Sequence, residues 1–208
     1  MTNLTPAAGL LPGASRRAIS LIEGVLYLVI GLAVIVGGIV FFQQAQLSTQ
    51  ITDSARALMN ISSQTRGLYR NQRDFGTEEL TAALVASGAV PSNAVDADGG
   101  IRLPTGSEIR VFGKGADFAV VIPDISLEVC QRLLPVSDSG EGLMGTGVQG
   151  VEINDYADPR DATTLQVMLA NYTEAEYALP VTPNTVQSEC QAIEDGGGLA
   201  DVFVVYGR

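Results

Sequence analysis

Few side chains in this sequence of 208 residues are able to do chemistry, and their spacing narrows what that chemistry is. There is no histidine, so a Ser-His-Asp or Cys-His nucleophile is excluded, as is any zinc site built on imidazole. The two cysteines, Cys130 and Cys190, are too widely separated for a CxxC redox or metal motif. In a domain exported across a membrane they would form a disulfide; the alternative is two free thiols. Closing a loop of that length stabilises a fold by roughly 4 kcal/mol in the chain-entropy model. The most unusual ionisable group is Glu23, at the mouth of a segment that runs from Val25 to Phe42 without a charge. A charge at the centre of a bilayer helix costs roughly 2.5–3.5 kcal/mol, so a carboxylate kept beside such a segment points to a role.

Two other patterns are set aside on physical grounds. GTGVQG (145–150) has the letters of a dinucleotide-binding turn, but the strand-like VEIN follows it where a helix is required; it reads as a mobile loop. DADGG (96–100) and NDYADPRD (154–161) gather oxygen ligands without EF-hand spacing, since the twelfth position from Asp96 is Ser107. Turn chemistry accounts for both runs, with weak calcium binding as the alternative. No catalytic constellation, metal site or cofactor is expected.

The elements that hold these residues are legible in outline. An apolar core longer than a cleavable secretory signal, with no A-x-A pattern close behind Gln44, reads as a membrane anchor with Arg16 and Arg17 on the inner side. The apolar pattern then continues at helical spacing through Leu47, Ile51, Ala55, Leu58, Ile61, Thr65 and Leu68. One helix from about Ile19 to about Tyr69 would be about 75 Å long, bare in its first half and striped in its second. Beyond it, TEELTAALVASG reads as a short helix capped by Thr77 and ending near Gly88. EIRVFG and DFAVVIP form a hairpin around Gly-Lys-Gly, and DISLEVCQRLLP is a helix capped by Asp124 or Ser126. GVQGVEIND is a strand, ATTLQVMLANY is ambiguous, TPNTVQSECQAIED is a helix capped by Thr182, and ADVFVVYGR is a last strand. The class is α+β, an antiparallel sheet packed on the long helix.

Ala18 and Ile19 follow the basic pair, and Glu23 is the fifth residue counted from Ile19. This leader, small residue, apolar residue and fifth-position glutamate resemble the class III signal of type IV prepilins. The family usually has Gly before the cut and Phe, Met or Leu after it; here they are Ala18 and Ile19. LVASGAVPSNAV, VVIPDISLEVCQRLL and a second cysteine before a terminal aromatic strand resemble the type IVb subclass.

The resemblance implies a prepilin leader (1–18), an N-terminal helix (19–72, with 19–42 for membrane and polymer contacts) and a head (73–208). It also implies a cut between Ala18 and Ile19 by prepilin peptidase, with N-methylation of the new terminus. The Ile19 amine of one subunit would pair with the Glu23 carboxylate of its neighbour in an apolar filament core, where either charge alone is costly. Cys130 and Cys190 would staple the C-terminal region of the head. Expected partners are the chain itself as a helical homopolymer, the peptidase, the pilus assembly machinery and, before assembly, the inner membrane. The final location would be the extracellular pilus, serving adhesion, aggregation, motility or conjugation.

A minor pilin or a type II secretion pseudopilin is the alternative within this class, and a periplasmic binding domain on an uncleaved signal anchor the alternative outside it. The formal charge is −11, and beyond Asp74 twenty acids face six bases, so no nucleic-acid partner is expected. Arg66, Arg70 and Arg73, at i, i+4 and i+7, are either a solvated basic face or a contact with the acidic heads of neighbouring subunits.

Overall fold

The structure is a computed structural model that describes residues 21–97, 99–154 and 179–208. Ala18, Ile19, most of NDYADPRD and all of ATTLQVMLANY lie outside the described residues. The chain divides into two units, residues 1–44 and 45–208, and a single helix, α1 (Leu21–Leu68), runs through the described part of the first and into the second.

In the first unit α1 is unbroken through Gly31, Gly37 and Gly38. In the second, the helix turns a stripe of Ile51, Ser54, Ala55, Leu58, Ile61, Ser62 and Thr65 inward, all buried. Thr65 is tolerated there because its hydroxyl donates to the Ile61 carbonyl at 2.7 Å, leaving no unmatched donor in the core. Leu68, expected to extend the stripe, is exposed because the helix stops at that residue.

The remaining elements are α2 (Thr81–Ala86), a 3-10 turn (Ser92–Ala94), β1 (Ile101–Arg102), β2 (Glu108–Lys114), β3 (Asp117–Ile125), α3 (Leu127–Leu133), β4 (Val148–Asn154), α4 (Pro183–Asp195) and β5 (Ala200–Tyr206). The strands form one antiparallel sheet in the order β1-β2-β3-β5-β4. Strand β5 is buried at all seven positions because both its faces are covered. Val202, Val204 and Tyr206 join the core shared with α1, while Phe203 and Val205 join Phe112, Ala119 and Val121 on the opposite face. A strand buried on both sides reads as a continuous apolar run, and VFVVY is one.

Two local expectations are corrected. Helix α2 begins at Thr81, not after Thr77, and its N-cap position is Leu80 with no side-chain cap. The preceding residues are drawn onto the part of the β2 edge that the two-residue β1 leaves uncovered: the Leu80 N–H donates to Val111 O and the Gly113 N–H to Glu78 O. The Thr81 hydroxyl accepts from the Val111 N–H, so its capping chemistry serves the sheet. Gly88, at φ +72°, turns the chain after the helix as expected. Secondly, GTGVQG is not wholly a loop, since β4 begins at Val148 within it.

Strand β3 carries a bulge between Ile122 and Ile125. Pro123, which has no N–H for the ladder, sits in it, and Asp124 adopts φ 55° with its N–H donating to Asp201 Oδ1 at 2.9 Å. Ser126, not Asp124, therefore stands at the N-cap position of α3, though its side chain makes no cap bond. Helix α4 starts as its sequence requires: Thr182 accepts from the Thr185 N–H and Pro183 occupies the first turn.

Candidate functional site

The N-terminal unit offers one chemical property in quantity, apolar surface. From Ile22 to Phe42, fifteen large apolar or aromatic side chains are 49–78% exposed. Burying such a side chain fully contributes about 1.5–3 kcal/mol, so roughly half-burying fifteen of them is worth on the order of 15 kcal/mol. That equals the whole stability of an ordinary domain, so the helix requires apolar surroundings. It is long and apolar enough to cross a membrane, with a mean hydropathy of 2.8 in its best window. Glu23 lies in the first turn of the described helix, where a carboxylate is favoured by the helix dipole. The Ile19 amine expected to meet a neighbour's Glu23 lies outside the described residues.

In the second unit, Cys130 on α3 and Cys190 on α4 are disulfide-bonded, with α-carbons 6.5 Å apart. Val129, Cys130 and Leu133 of α3 pack with Val186 and Cys190 of α4, so the bond is sealed inside the core. Helix α4 also packs against β4 and β5, which ties the C-terminal strand to the stapled pair.

At the other end of β5 the chain builds a polar clamp that the sequence did not disclose. Arg66 of α1 donates from Nε to Gly207 O and from Nη2 to Thr146 O, both at 3.0 Å. Its guanidinium carbon lies 5.7 Å from the ring centres of both Phe118 and Tyr206, which stack on each other at 5.2 Å. Phe75 and Tyr69 continue this aromatic row at 5.0 and 5.4 Å. The Tyr206 hydroxyl donates to Met144 O at 2.9 Å; burial pushes its pKa up and the Arg66 charge draws it partly back. Arg208 then donates to the carbonyls of Arg73 (2.9 Å) and Gln72 (2.7 Å), capping the turns that end α1.

This geometry revises the arginine row. Because α1 ends at Leu68, Arg70 and Arg73 do not share a helix face with Arg66. No pattern in the sequence announced the clamp, which joins residues 141 positions apart.

The acidic run at Asp96 makes turn contacts, while most of NDYADPRD lies outside the described residues. Asp96 Oδ1 accepts from the Gly100 N–H at 2.7 Å and Oδ2 faces Arg102 at 3.7 Å. Among the described residues no group of three acids or cysteines could hold a metal ion. A concavity of about 380 Å³ lies between α1 and the chain before β2, lined by Ala57, Ile61, Val90, Pro91, Ile101 and Leu103. It gathers no nucleophile with a base.

No family model matches the chain, and no curated protein matches it. Among solved structures it is similar to the crystal structure of a type IVb pilin from Salmonella typhi, at 15% identity and a TM-score of 0.46, over 74% of this chain and 98% of that one.

Proposed function

We propose that this chain is the structural subunit of an extracellular type IVb-like pilus, held first in the inner membrane and then polymerised through its N-terminal helix. The observation that carries the reading is the division of α1. One uninterrupted helix is bare apolar surface over Ile22–Phe42 and a core element over Ile51–Thr65. An anchor alone would account for the first half but not for the placing of Glu23 fifth from Ile19.

In the proposed sequence of events, prepilin peptidase cuts between Ala18 and Ile19 and the released amine, charged at neutral pH, meets Glu23 of an adjacent subunit. Pairing neutralises both groups in the apolar filament core and fixes the axial register of each entering subunit. Neighbouring helices then replace lipid around Val25–Phe42. The disulfide-closed head remains outside to face the medium.

The test is Glu23→Ala in cells assembling the full chain. Loss of filaments, with the variant still present in the inner membrane and its disulfide formed, is expected. Filaments of normal length and number from that variant would remove the assembly role of Glu23.

A further inference from the structure

The arginines of the head divide into two groups by what they face. Arg56 meets Asp53 at 3.0 Å, Arg102 meets Asp96 at 3.7 Å, and Arg132 meets Glu128 at 2.8 Å. Arg110 lies 3.5 Å from Glu108 and 3.9 Å from Glu79. The other four described arginines are Arg66, Arg70, Arg73 and Arg208, and among the described residues none of them has an ion-pair partner. All four gather where the end of β5 meets the end of α1, held there by the Arg66–Gly207 and Arg208–Arg73 hydrogen bonds. The side chains of Arg70 and Arg73 are exposed. Asp74, the acid beside them, accepts from the Gly76 N–H, and exposed Glu78 accepts through its carbonyl from the Gly113 N–H. The neighbouring hairpin adds Lys114 and Asp117, so five bases stand against three acids. The pole is therefore net positive in a chain of net charge −11.

The opposite end of β5 has the reverse character. Between Val181 and Tyr206 there is no lysine or arginine, and Glu189, Glu194 and Asp195 stand exposed on α4. Only Gly196–Leu199 separate Asp195 from the start of β5. Seven residues of strand, roughly 20 Å at 3.2–3.4 Å per residue, keep this acidic end and the arginine pole apart. The two patches cannot meet within one copy.

We propose that the arginine pole (Arg70 and Arg73, with Arg66 and Arg208 setting its backbone) docks on the acidic C-terminal end of α4 in a second copy of this chain. Complementary patches at opposite ends of one subunit make a heterologous, head-to-tail contact, which propagates into an open helical assembly instead of closing a dimer. Guanidinium groups suit the contact because they match carboxylates geometrically and are weakly hydrated. A polyanion such as nucleic acid is disfavoured as occupant, since the field of the whole acidic chain repels it. The contact rests on the reading of this chain as a filament subunit, and it adds to that reading which head surfaces meet.

The experiment uses full-length chain assembled on cells and filaments recovered by shearing. The variants are Arg70→Glu with Arg73→Glu, Glu194→Arg with Asp195→Arg, and the four changes combined, with disulfide formation and thermal unfolding as folding controls. Each double reversal should lower filament recovery at about 0.15 M salt by roughly tenfold, and the fourfold swap should restore it. Undiminished recovery and salt resistance for Arg70→Glu with Arg73→Glu would overturn the contact, as would failure of the swap to restore assembly. Retention of duplex DNA by wild-type filaments, lost in that variant, with assembly unchanged, would assign the pole to a polyanion and overturn it too. Absence of filaments from the wild-type chain would instead refute the subunit reading, and the contact with it.

Discussion

Replacing Arg66 with methionine removes the cation and both hydrogen bonds of the clamp while leaving an unbranched side chain along Phe118 and Tyr206. Hydrogen bonds from charged donors contribute about 1.5–3 kcal/mol when sheltered, but Arg66 is half-buried and the carbonyls of Gly207 and Thr146 can rehydrate. About 1 kcal/mol for each bond and about 0.5–1 kcal/mol for the aromatic contact give a loss of about 2.5–3 kcal/mol. For a chain of this size that lowers Tm by about 5–10 °C.

The assay is thermal unfolding of the disulfide-intact full chain in detergent, followed by circular dichroism. Gly147 supplies an independent arm: a Cβ built there would lie 2.5 Å from Arg66 Nη2, and the residue sits at φ +76°. Gly147→Ala should therefore cost the clamp and about 1–2 kcal/mol of backbone strain. Combined with Arg66→Met its cost should be less than additive, because the clash is gone. An Arg66→Met variant melting within about 1 °C of wild type, or strict additivity in the pair, would refute the clamp as a stabilising unit.

Three further outcomes are expected. Reduction of the Cys130–Cys190 disulfide, with its sequence separation of 60, should remove about 4 kcal/mol of stability, read as a lower denaturant midpoint with reductant; an unchanged midpoint contradicts it. Glu189 is exposed as a residue, but partial desolvation of its carboxyl raises the pKa, so its contribution is fully present below the unfolded pKa and is lost as pH rises through the folded one. Glu189→Gln should then gain stability relative to wild type at about pH 7 and lose that advantage near pH 3, and a pH-independent difference in midpoints contradicts it. Finally, any loss of α1 hydrogen bonds within a filament should centre between Gly31 and Gly38, where unwinding costs least; a filament map with unwinding centred on Gln43–Leu47 contradicts it.

What the sequence disclosed was set by periodicity and caps. The α1 stripe, the Gly-Lys-Gly hairpin, Thr182 before Pro183 and the apolar run of β5 are local signals, and the structure follows each of them. The misses are places where a distant partner outbid a local preference. Thr77 offered a cap with acids in the first turn, yet the stretch of the β2 edge beyond β1 claimed Glu78–Leu80 as a short strand-like bridge. The arginine row rested on its i, i+4, i+7 spacing at the end of a helix placed to about Tyr69, but α1 stops at Leu68 and the chain turns toward the aromatic row. Asp124 resembled a cap and is instead the left-handed residue of a bulge pinned by Asp201, a contact across 77 residues that no window of sequence contains.

The central claim, that this chain is processed and polymerised through its N-terminal helix, is tested most directly by the intact mass and N-terminal sequence of filaments sheared from cells. The account expects chains beginning at Ile19, methylated at that amine, with Cys130 and Cys190 oxidised. Residues 1–18 still attached to the filament subunit, or full-length chain found only in the membrane with Arg16 and Arg17 retained, would contradict it.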